Sequence, residues 1–197
     1  MNTRNVILIV IVGVIFGLVG FYAGNFIGGK VKQPVKQATP KPTPTLVETL
    51  PDFEFKTLDG KTVTLADYEG KALVVNFWAT WCAPCRKEIP LLVEMQEKYA
   101  EQDIQLLGVA IDNEQAIRKF IAQIGGVNYP ILFSDLELTT MEWAQKKVGV
   151  DLIGLPITVT TDHNGRILTS HPGEVDEAEA LMLFEEILAA RETGSTE

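Results

Sequence analysis

Cysteine and histidine are both scarce in this chain, two of each among 197 residues. Two cysteines exclude a small domain stapled by several disulfides. The two histidines, His163 and His171, lie far along the chain from Cys82 and Cys85. With no third cysteine and both histidines distant, the chain shows no zinc-ligand spacing. Basic residues are in deficit, 17 Lys and Arg against 26 Asp and Glu, for a net charge of −9. That balance argues against nucleic acid, whose phosphate backbone needs a basic face. No internal repeat is visible. A hydrophobic share of 46% with 22% charged residues is ordinary globular composition and excludes a disordered or coiled-coil chain.

Charge is unevenly spread. Residues 1–49 hold Arg4, Lys30, Lys32, Lys36 and Lys41 against Glu48 alone, so the rest of the chain carries a net −13. Between Val6 and Ile27 there is no charge at all. At 1.5 Å per residue such a helix spans about 33 Å, enough for a hydrocarbon core of about 30 Å. The run exceeds the usual apolar stretch of a signal peptide, and Phe21 stands where cleavage after Ala23 would need a small residue. Residues 1–29 are therefore expected to form an uncleaved single-pass transmembrane anchor. Gly13, Gly17, Gly20, Gly24 and Gly28 recur at helical spacing and offer a stripe for weak self-association, although glycine is common in such helices anyway. Residues 30–49, with Pro34, Pro40, Pro42 and Pro44 among Lys, Gln and Thr, read as an extended linker.

A folded domain is expected over 50–192, followed by a flexible tail, 193–197. Phe53–Thr57 and Lys61–Leu65 flank an Asp59-Gly60 turn and form an N-terminal β-hairpin candidate. Ala72–Trp78 is an apolar run of strand formers, and Ile104–Ile111 and Pro130–Phe133 read as further strands. Helices are expected over 83–100, with Pro84 in the first turn and a kink at Pro90, and over Glu114–Ile124, Thr139–Val148 and Asp176–Arg191. Ile157–Thr161 and Ile167–His171 pair across Asn164-Gly165. This alternation indicates an α/β sandwich, a mixed central sheet flanked by helices.

Chemistry concentrates in Trp81-Cys82-Ala83-Pro84-Cys85-Arg86. Two cysteines three apart at a helix start can reach disulfide geometry while one thiol stays accessible. The helix N-terminus favours the thiolate of the first, the form that attacks disulfides. Cys82 is then the nucleophile and Cys85 the resolving thiol. A c-type haem site would need histidine where Arg86 stands. Two unrelated buried cysteines are the bland alternative.

The stretch VVNFWATWCAPCRKEIP, with the PDFEFKTLDGKTVTLADYEGK hairpin and the GLPITVTTDHNGRI segment, resembles the thioredoxin-fold proteins of the TlpA/ResA/CcmG type, membrane-anchored thiol–disulfide oxidoreductases of bacteria. The resemblance covers about residues 50–192 and implies a thioredoxin-like fold with no cofactor and no metal. It makes Glu88 the acidic residue that exchanges a proton with Cys85; by spacing alone Glu88 reads as an exposed helix glutamate. It makes Pro156 the cis-proline facing the dithiol, with Leu155 before it offering backbone hydrogen bonds to an extended substrate. Trp81 would form the rim of the site, whereas Trp78 is expected in the core. Cytosolic thioredoxins carry a buried aspartate six residues before the first cysteine. Asn76 stands there and cannot take a proton, which shifts general-base duty to Glu88.

Lysine counting alone would put the body in the cytoplasm. A tethered dithiol donor is most useful in an oxidising compartment, and with the resemblance the domain is expected on the outer side of the bacterial cytoplasmic membrane. The implied partners are disulfide-containing exported proteins, apocytochrome c before haem attachment being one candidate, and a membrane thiol carrier as electron donor. A thiol peroxidase of the peroxiredoxin-related group is the alternative: Thr80 fits that group, but its proline is missing and the close cysteine spacing favours exchange. A copper-binding module would need wider cysteine spacing and a nearby histidine.

Overall fold

The computed structural model describes residues 49–134, 140, 142–149 and 154–194. The expected anchor, its glycine stripe, nearly all of the linker and the last three tail residues lie outside them. Among the described residues no helix is long and apolar enough to cross a membrane.

The first strands among the described residues form a hairpin, β1 (Glu54–Thr57) and β2 (Thr62–Thr64), antiparallel with Phe55 opposite Val63. Gly60 turns it at φ 84°, a left-handed value that suits glycine. A 3₁₀ turn, Leu65–Tyr68, leads to β3 (Ala72–Trp78). Helix α1 (Ala83–Tyr99) follows and runs unbroken through Pro90, whose ring removes one internal hydrogen-bond donor. Then come β4 (Ile104–Ala110), α2 (Glu114–Gln123) and β5 (Ile131–Phe133). The final unit is β6 (Ile157–Thr161), β7 (Ile167–Pro172) and α3 (Glu177–Gly194). Asp176 and Glu179 cap α3 reciprocally: each amide donates to the other's carboxylate, at 2.9 and 3.0 Å.

The helix expected over Thr139–Val148 is helical at its described residues: Thr140 and Glu142 are α-helical, and Trp143–Val148 form a short π-helix that ends on Gly149 at φ 81°. The wider turn buries Trp143, Ala144 and Val148, and the Trp143 indole N–H donates to the Asp52 carbonyl at 3.0 Å. In this turn Trp143 meets Phe53 and Phe55 edge-on, against the β1 segment.

The seven strands of the described residues form one mixed sheet in the order β2-β1-β5-β4-β3-β6-β7. β3 lies at its heart, parallel to β4 and antiparallel to β6. Side chains alternate across a strand, so β3 feeds two cores. Leu73, Val75 and Phe77 pack with Phe53, Phe55 and Trp143 on one face. Ala72, Val74 and Trp78 pack on the other with Ile89, Leu92, Phe120 and Phe184 from the three helices. Asn76 shares the parity of Val74 and Trp78. The only amide in this strand is thereby aimed at the helix layer that carries the cysteines.

Candidate active site

Cys82 is the N-cap of α1, and its sulfur accepts the Cys85 amide N–H at 3.2 Å. Pro84 sits in the first turn, where the missing N–H is harmless. The two cysteines form a disulfide with their Cα atoms 5.3 Å apart. Cys85 is fully buried and Cys82 is 5% exposed, on the same core face as Trp78 and Ile89. Trp81, immediately before, is 68% exposed. Trp78, expected in the core, is buried against Phe120.

Glu88 lies one turn beyond Cys85 and is only 2% exposed. The reading from spacing alone, an exposed helix glutamate, is therefore wrong. Its Oε1 accepts from Asn76 Nδ2 at 2.8 Å and its Oε2 from the Val175 amide at 2.8 Å. Burial pushes its carboxyl up to about 7, against the pull of those two donors, with Glu174 adding a smaller upward push. The same burial and the nearby Glu88 charge drive the Tyr129 hydroxyl well above its ordinary range. A carboxyl titrating near neutrality, one turn from the buried thiol, has the affinity for protons that a general acid–base group needs.

The Leu155–Pro156 peptide is cis. The Pro156 carbonyl accepts from the Gly173 amide at 2.8 Å, which ties this loop to the segment that carries Val175. Two residues on, Thr158 stands opposite Asn76 in the antiparallel β3–β6 register, and its Oγ1 accepts from Asn76 Nδ2 at 3.1 Å. Asn76 is thus bonded to β6 and α1 at once. The sequence and its resemblance single out Cys82, Cys85, Glu88, Trp81, Leu155, Pro156 and the Asn76 position. Neither Thr158 nor the Val175 amide is marked in the sequence, because a strand register and a main-chain N–H leave no motif.

This geometry frames the comparison with known proteins. The model of the AhpC/TSA family matches residues 47–170, which include both cysteines, Glu88 and Pro156. The chain belongs to that family. It is similar to the thiol-disulfide oxidoreductase ResA of Bacillus thuringiensis, 32% identical over 126 residues, 63% of this chain and 68% of the relative. It is also similar to the thioredoxin-like protein YneN of Bacillus subtilis, 34% identical over 137 residues, 66% and 72% of the two chains. A solved structure from Chlorobium tepidum, provisionally assigned as the thiol:disulfide interchange protein DsbE, superposes with TM-score 0.63 at 31% identity. It covers 74% of this chain and 96% of the other. The enzyme is a thiol–disulfide oxidoreductase with a thioredoxin-like fold.

Proposed function

We propose that the enzyme works as a reductant of disulfides in exported proteins. In the reduced enzyme the Cys82 thiolate attacks a client disulfide, forms a mixed disulfide and releases one client thiolate. Glu88 takes the proton from Cys85. The resulting thiolate attacks Cys82, closes the Cys82–Cys85 disulfide and releases the second client sulfur. Two electrons pass to the client, and a membrane thiol carrier restores them. Trp81 forms the rim against which the client rests, and the backbone at Leu155, before the cis Pro156, pairs with an extended client segment. Apocytochrome c before haem attachment has the required chemistry, two neighbouring cysteines that must be kept reduced.

The observation that carries this reading is the asymmetry of the pair. Cys82 caps the helix and receives an amide N–H, while Cys85 is sealed beneath it beside a carboxyl poised near neutrality. Such an arrangement separates an attacking sulfur from a resolving one. Cys85→Ser is expected to accumulate clients as mixed disulfides on Cys82, read by non-reducing gels and mass spectrometry. Cys82→Ser should trap none and lose insulin reduction. A protein that consumes peroxide yet is inert towards insulin would support the peroxidase reading instead.

A further inference from the structure

Between β3 and the dithiol the chain passes through Ala79, Thr80 and Trp81, and this loop is held from the neighbouring strand. Asp112, just past β4, is buried. Its Oδ2 accepts from the Thr80 amide at 3.3 Å and also from the Thr80 hydroxyl. Its Oδ1 accepts from the Asn113 amide at 2.8 Å and from Asn113 Nδ2 at 3.1 Å. One residue earlier, the Ile111 amide donates to the Trp78 carbonyl at 2.8 Å. The Cys82 amide closes the loop on the Ala79 carbonyl at 3.2 Å. Four donors converge on Asp112, so only an acceptor-only group satisfies all of them; an asparagine would turn its own N–H₂ towards one pair.

We propose that Asp112 is a positioning residue of the exchange reaction: acting through Thr80, it fixes the loop that delivers Trp81 and Cys82, and its charge biases the dithiol towards giving up electrons. Thr80 lies two residues before Cys82, so the carboxylate stands within about 12 Å of the Cys82 Cα and within about 15 Å of its sulfur. A negative charge at that range, in a partly desolvated site, opposes a second one on the Cys82 sulfur. It acts against the helix N-terminus, which favours the thiolate. A less stable thiolate means a less stable reduced form, and hence a stronger reductant. The three charged residues that follow Cys85 on α1 are engaged elsewhere. Arg86 lies over the Phe120 ring at 5.3 Å, Lys87 pairs with Glu174, and Glu88 is bonded to Asn76 and Val175. This inference rests on the reductant reading above.

The test uses the full chain with Asp112→Asn, Thr80→Val, Thr80→Ser and, as a control, Cys82→Ser. Two quantities are read: the equilibrium of the Cys82–Cys85 pair with glutathione, and the pH at which Cys82 alkylates at half its maximal rate. Asp112→Asn is expected to shift the equilibrium towards the dithiol by about fivefold or more and to lower the alkylation pH. Thr80→Val, which keeps the carboxylate, should lower kcat/KM on a model disulfide by about fivefold, while Thr80→Ser retains the wild-type value. A folded Asp112→Asn protein with wild-type equilibrium and alkylation pH overturns the proposal. Should that variant fail to fold, wild-type exchange by Thr80→Val overturns it instead. Exchange activity surviving in Cys82→Ser would bring down the reductant reading itself, whatever the Asp112 variants do.

Discussion

Glu88 shows a residue type at odds with its place. It shares the buried stripe of α1 with Cys85, Ile89 and Leu92, and Asn76 and the Val175 amide supply the partners that a carboxyl needs there. Because the folded protein holds its proton up to about 7, against an ordinary value of 4.5, the folded state binds more protons than the unfolded chain between those values. Stability therefore falls as pH rises through that window and levels off above it. The displacement corresponds to at most roughly 3 kcal/mol. Thermal unfolding of the oxidised enzyme should lose stability between pH 5 and pH 8. Glu88→Gln should flatten that loss and slow client reduction, and an unaltered slope in the variant would remove Glu88 as its source.

At the scale of elements, the site depends on how closely three strands approach. Gly108, on β4, faces the helix layer between β3 and β5. A Cβ there would lie 2.8 Å from Ile131 Cδ1, 3.1 Å from Tyr129 Cε2 and 3.2 Å from Trp78 Nε1. The tip of Ile131 can swing away, but two packed rings have little room to give. Gly108→Ala is expected to cost about 1–3 kcal/mol, read as a lower denaturant midpoint at unchanged slope. A midpoint equal to wild type would mean that the rings yield freely. The same strands set the polar contacts: β3 is antiparallel to β6, so Asn76 meets Thr158, and parallel to β4, so Asp112 arrives beside Thr80.

For the molecule as a whole, the proposal places an acidic catalytic domain outside the membrane, tethered by the uncharged Val6–Ile27 run. Lysine counting points the other way, so the orientation is a sharp test. Alkaline phosphatase joined after Glu197 is expected to be active and green fluorescent protein at the same point dark, since the first needs an oxidising compartment for its disulfides. The opposite pair of results would place the dithiol in the cytoplasm and remove exported proteins as its clients.

Much of this protein is legible from its residues in order. The Cys82–Cys85 spacing, Pro84 in a first helical turn, the Asp59-Gly60 and Asn164-Gly165 turns and the apolar strand Ala72–Trp78 are local signals. Each acts within a few residues of itself, through backbone preference or side-chain periodicity, and the described structure contains the corresponding elements. Trp143–Val148 marks the border, where the expected helix is present in a wider turn that sets Trp143 against Phe53, Phe55 and Asp52. Burial of Glu88, its bond to an amide 87 residues away, the pairing of Asn76 with Thr158 across 82 residues and the grip of Asp112 on Thr80 across 32 belong to the tertiary structure alone. A buried polar group needs partners, and which partners it finds depends on which strands lie side by side, a choice made by the whole sheet and by no short stretch of chain.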